Sequence, residues 1–117
     1  MFSCKSDNSI RGALDGTWYS DKYDVEIIGT YGLLIKLNYM GNINGAVPQV
    51  GDTVIKNLMK TDFKAQNFVG ERIFLQAETN AIDRKTASFL LQTDKNTGRP
   101  FIVSITAANV DTIIFVR

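Results

Sequence analysis

Apolar and polar residues alternate with a period of two along most of this chain. In "YDVEII" Tyr23, Val25 and Ile27 alternate with Asp24 and Glu26. In "GLLIKLNYM" Leu33, Ile35, Leu37 and Tyr39 share one face, with Lys36 and Asn38 on the other. Further on, Ala87, Phe89 and Leu91 oppose Ser88 and Gln92, while Phe101, Val103 and Ile105 oppose Ser104 and Thr106. An extended chain sends successive side chains to opposite faces, so these runs predict strands with one dry and one wet face, the antiparallel pattern. The β-branched and aromatic residues that fill them suit a pleated surface.

Turn residues separate the runs at short intervals. "IGTYG" closes one hairpin, and "DKNTGR" places Gly98 where a left-handed residue follows a type I turn. The spacing predicts about eight strands, at 16–21, 23–28, 32–40, 53–59, 71–78, 86–93, 100–107 and 110–117. No segment keeps a helical period over three turns, although "NSIRGAL" at 8–14 allows a short helical turn. Residues 41–52, "GNINGAVPQVGD", read as a loop that is long for a hairpin, and long loops often carry function. Residues 61–70 read as a second loop or as an extension of a neighbouring strand.

Eight antiparallel strands with one apolar face remove their edges by closing on themselves. The predicted fold is therefore all-β, an antiparallel up-and-down barrel over 15–117, preceded at 1–14 by a tether and a plug for one end. A barrel of eight strands is just wide enough to be filled by side chains or to hold one small ligand.

Composition narrows the chemistry. The 117 residues suit one domain; 44% are apolar, 21% are charged, and the net charge is +1. The basic residues do not cluster, which argues against nucleic acid as a partner. There is no His and only one Cys, so a Ser-His-Asp triad, a Cys-His pair, an internal disulfide and a cysteine-based zinc site are all excluded. No glycine-rich phosphate loop and no GxSxG elbow occurs. Alternation puts Asp24 and Glu26 on the wet face and Asp21 at a strand end, so they make no acid–base pair. Neither an enzyme, a metal nor a cofactor is expected.

The candidate ligand-binding residues are Tyr39, Met40 and Met59, placed near the loop at 41–52 as a barrel mouth, with Phe89 and Phe101 inside. The expected ligand is small and apolar, and the expected state is a monomer. The predicted inward set (Val25, Ile27, Leu33, Ile35, Leu37, Phe89, Leu91, Phe101, Val103, Ile105) is bulky. The alternative is thus a filled barrel that serves as a protein-interaction or structural module.

Gly16-Thr17-Trp18 at the start of the first strand resembles the first signature of the lipocalins and their calycin relatives. In that superfamily the Trp closes one end of the barrel, under a basic residue from the last strand. The resemblance implies that Arg117 covers the indole of Trp18, a cation–π and stacking contact that ties the first and last strands. The letters Thr61-Asp62-Phe63 echo the family's second motif but stand too early in the chain to be it. "IIFVR" lacks the Arg-x-Tyr pair with which fatty-acid-binding relatives hold a carboxylate.

"FSCKSDNS", residues 2–9, resembles the end of a bacterial lipobox followed by a polar tether, with Ser3 before Cys4. The likeness implies lipid attachment at Cys4 and a place in the bacterial cell envelope, touching the membrane only through that anchor. The cytoplasm is the alternative location, since no charged and apolar signal region precedes Cys4.

Overall fold

The computed structural model describes residues 14–38, 42–64 and 66–117. It is an all-β, nearly closed barrel of eight strands: β1 (Gly16–Trp18), β2 (Tyr23–Ile28), β3 (Tyr31–Leu37), β4 (Thr53–Lys60), β5 (Asn67–Leu75), β6 (Ile82–Thr93), β7 (Pro100–Thr106) and β8 (Thr112–Val116). Each strand pairs antiparallel with its neighbour in sequence, an up-and-down meander. The sheet closes through one pair of backbone hydrogen bonds, between Tyr19 and Val116, both 2.7 Å.

The registers give the barrel two ends. Gly16, residues 28–31, residues 60–67, residues 93–100 and Val116 gather at one end, the base. The turns at 20–22, 76–81 and 107–111 gather at the other, the top. Residues 42–52 also reach the top, where the Asn44 N–H donates to the Asn80 carbonyl at 2.7 Å. A short 3-10 turn, Ala107–Asn109, delays the start of β8, so β8 is shorter than the sequence predicts. The segment 61–70 is split: β5 begins at Asn67, and before it Thr61 and Asp62 are tied to Gln66 and Asn67 by hydrogen bonds from the Thr61 hydroxyl and to the Asp62 carboxylate. The helical turn expected at 8–14 lies outside the described residues except for Leu14, which is buried.

The interior is built from Trp18, Tyr23, Val25, Ile27, Leu34, Ile55, Leu58, Phe68, Phe89, Ile102, Ile113 and Phe115, all buried. Tyr23 and Phe115 meet edge to face at 5.7 Å, a favourable arrangement of the two ring quadrupoles.

Two strands present the face opposite to the one their letters predict. On β3 the interior takes Gly32 and Leu34, while Leu33 is half-buried and Ile35 exposed. Asp24 pairs with Lys36 but Val25 with Leu34, so Ile35 is the extra residue of a bulge, and the phase changes across it. Leu37, beyond the bulge, returns to the core. Gly32 fits because a Cβ there would lie 2.7 Å from Val25 Cγ2. On β7 the interior takes Ile102, Ser104 and Thr106, and Phe101, Val103 and Ile105 stand half-buried on the outer face. The buried hydroxyls have a partner that explains the inversion, described next.

Candidate functional site

At the base, Arg117 lies over Trp18, its Cζ 4.4 Å from the ring centroid. Its Nη2 donates to the Asp15 carbonyl. The indole Nε1 donates to the Leu14 carbonyl at 2.7 Å, so the polar edge of the buried ring is satisfied. Gly16 has φ of 123°, and a Cβ on it would lie 2.7 Å from Arg117 Nη2. Only glycine both tolerates that backbone and leaves room for the guanidinium. The three residues of the first and last strands therefore act as one fastening.

Inside, toward the top, sits a polar group that the alternation pattern concealed. Arg72 on β5 is fully buried. Its Nε donates to Ser104 Oγ at 2.7 Å and its Nη2 to the Ser104 carbonyl at 3.0 Å. Its Nη1 pairs with Asp111 Oδ2 at 2.8 Å, and Nη2 also reaches the Asp111 carbonyl at 2.9 Å. Thr106 Oγ1 accepts from the Asp111 N–H at 2.8 Å, which fixes the turn that presents the carboxylate. Tyr23 donates its hydroxyl across the barrel to the Ile73 carbonyl at 3.1 Å. Burial holds the Tyr23 phenol well above its ordinary range. All three guanidinium nitrogens of Arg72 are hydrogen-bonded within this network, so the buried charge is compensated and the network braces the interior. The single charged letter in "FVGERIF" that turns inward, and the hydroxyls two apart in "VSIT", were the only signals of it in the sequence.

The outer face of β7 and β8 is largely apolar, and Leu90 of β6 extends it. The pairings Leu90–Val103–Ile114 and Phe101–Val116–Tyr19 set two rows side by side. Tyr19, Ile114 and Val116 are about half exposed. The row Ile114–Val116 separates two clefts. One, of about 530 Å³, is lined by Tyr19, Ser20, Asp21, Thr112, Ile114 and Val116. The other, of about 390 Å³, includes Arg99, Pro100 and Phe101. The larger cleft lies along the seam. Val116 turns its N–H and C=O to Tyr19, so by strand alternation Ile114 turns its own to the same side. There the chain bends away at Ser20, whose Oγ accepts from the Tyr23 N–H at 3.0 Å, and no backbone bond from the β1 side meets Ile114 among the described residues.

Of the predicted ligand-binding residues, the three described ones, Met59, Phe89 and Phe101, do not converge. Tyr39 and Met40 lie outside the described residues, as does Cys4. Met59 is exposed near the base, the opposite end from the loop it was expected to join. Phe89 is packed in the core. Phe101 points outward beside Val116, and thus lines a surface cleft rather than the interior.

Comparisons with protein-family models, with curated proteins and with solved structures find no match for this chain.

Proposed function

We propose that the protein is a non-enzymatic domain of the bacterial cell envelope, tethered by an acyl chain on Cys4, whose filled lipocalin-like barrel is a protein-interaction module. One observation carries the reading. Trp18, Tyr23, Arg72, Phe89 and Phe115 occupy the interior where a carrier would keep space, while the apolar residues that remain unsatisfied face outward on β7 and β8. The partner that suits this face is a protein segment in extended form. It would pair with the open backbone of Ile114 in the seam cleft and rest apolar side chains on Tyr19 and Val116, the mode of strand addition.

The test is in-cell cross-linking of the full-length precursor in its native host. Ile114→Lys is expected to remove a protein cross-link that the unaltered chain makes, because a lysine on an open edge blocks pairing. Equal cross-linking by both chains would overturn the interaction reading. Native mass spectrometry of the extracted protein is expected to show no small apolar cargo; a retained molecule would return the barrel to the carrier class. Loss of membrane fractionation on Cys4→Ser tests the anchor separately.

A further inference from the structure

Phe63 stands at the tip of the loop between β4 and β5, wholly exposed. Exposed there, the ring forgoes the free energy that burial against an apolar phase would supply. The loop is not a loose one. Asp62 Oδ1 accepts from the Gln66 and Asn67 N–H groups at 3.0 and 3.1 Å, and its Oδ2 accepts from Asn67 Nδ2 at 2.9 Å. The hydrogen bond from the Asn67 backbone, foremost among these, holds the Asp62 carboxyl below its ordinary range. Thr61 adds a further bond to the Asn67 carbonyl through its Oγ1, at 3.0 Å. The backbone is thus tied back on itself and Phe63 is held out, with Met59 also exposed at the end of β4.

The surroundings are basic in a particular way. Lys60 and Lys64 flank the tip, and Lys95 and Arg99 belong to the neighbouring base loop; all four are exposed. The three acids of the base are turned into their own backbone. Asp15 accepts from the Gly29 N–H at 2.9 Å, Asp62 is occupied as described, and Asp94 accepts from the Asn96 N–H at 2.8 Å. Among the described residues of this end, Lys60, Lys64, Lys95, Arg99 and Arg117 stand against Asp15, Asp62 and Asp94, a net charge of +2. Leu14 and Asp15, the first described residues, lie at this same end.

We propose that the base of the barrel docks on an anionic lipid surface, with Phe63 entering the interfacial region and Lys60 and Lys64 set against the headgroups. An aromatic ring with flanking lysines is the combination that an interface rewards, since the ring buries apolar area while the ammonium groups stay at headgroup level. The contact is weak by itself and its role is orientation. It rests on no acyl chain, so it is separable from the anchor at Cys4.

The experiment uses the full chain with Cys4→Ser, unacylated, and sedimentation with vesicles of phosphatidylcholine mixed with phosphatidylglycerol, against vesicles of phosphatidylcholine alone. Binding is expected to the mixed vesicles, falling as salt is raised. Phe63→Ala is expected to weaken it at least about tenfold, from the lost burial of the ring. Lys60→Gln with Lys64→Gln is expected to weaken it about twentyfold or more. In Phe63→Trp, a blue shift of emission on adding mixed vesicles reports entry of the ring, since Trp18 is already buried. These positions are exposed, so the variants should keep the fold, which far-ultraviolet circular dichroism checks. No binding of the parent chain to mixed vesicles at low salt would overturn the proposal. So would Phe63→Ala binding as well as the parent, an outcome that would leave the ring for a protein partner.

Discussion

Removing the Asp111 carboxylate should damage this protein more than removing the arginine it faces as well. Arg72 is 0% exposed in its side chain and Asp111 is 23% exposed. In Asp111→Ala the guanidinium keeps its bonds to Ser104 and to the Asp111 carbonyl but loses its counter-charge inside the barrel. An uncompensated buried charge of this kind costs about 3–5 kcal/mol, a large share of the ~5–15 kcal/mol that holds a domain together. Arg72→Met fills similar space with no charge. It leaves Ser104 and the carbonyls short of a donor, about 1–3 kcal/mol, while the partly exposed Asp111 carboxylate can turn to water. The double variant removes the stranded charge altogether, so it should be more stable than Asp111→Ala alone, and the two single losses should not add. The assay is thermal unfolding followed by the fluorescence of Trp18, the one tryptophan. A lowering of the thermal midpoint by about 10–20 °C is expected for Asp111→Ala. A double variant less stable than Asp111→Ala, lying below the parent by the sum of the two single effects, would refute the account of Arg72 as a charge that depends on this partner.

Arg117→Ala should cost about 0.5–2 kcal/mol through the lost cation–π contact, read by the same unfolding assay. Gly16→Ala should displace Arg117 and also cost about 1–3 kcal/mol from its backbone angle, and this second part should persist in the Arg117→Ala background. Tyr23 gives a dependence on alkaline pH. The folded chain keeps a phenolic proton that the unfolded chain releases near its ordinary value of 10.0. The stabilisation is whole below that value and is lost as pH rises beyond it, by up to about 1.4 kcal/mol per pH unit. Unfolding free energies measured on both sides of that value should show the decline, and Tyr23→Phe should abolish this part of it.

Strand number, order and the antiparallel meander were legible because alternation and turn chemistry are local. So was the fastening at the base, since Gly16, Trp18 and Arg117 each leave a mark in the letters. The facing of β3 was not, because one bulge at Ile35 reverses parity without any change in residue type. The facing of β7 failed for a different reason. A rule that sends serine and threonine to water cannot know that an arginine on a strand two places away needs Ser104 and Thr106 inside. Met59 was assigned to the wrong end because β4 starts level with the middle of β3, through the pairing of Leu33 with Thr53, and runs toward the base. That stagger is a property of the loop before it, which no residue spacing reveals. The outer apolar rows could not be seen until parity was known.

The single-bridge seam also bears on the order of events in folding. Every ladder but one among the described residues joins strands that follow each other in the chain, all through short connections except β3–β4, whose strands are separated by residues 38–52, so they form at modest cost in chain entropy. The Tyr19–Val116 bridge alone must bring together residues near opposite ends of the sequence. It should therefore form last in folding and open first in unfolding, and Trp18, lying beside it under Arg117, is the natural reporter of that step. A fluorescence phase slower than the recovery of sheet signal in refolding would be the closing of the barrel itself.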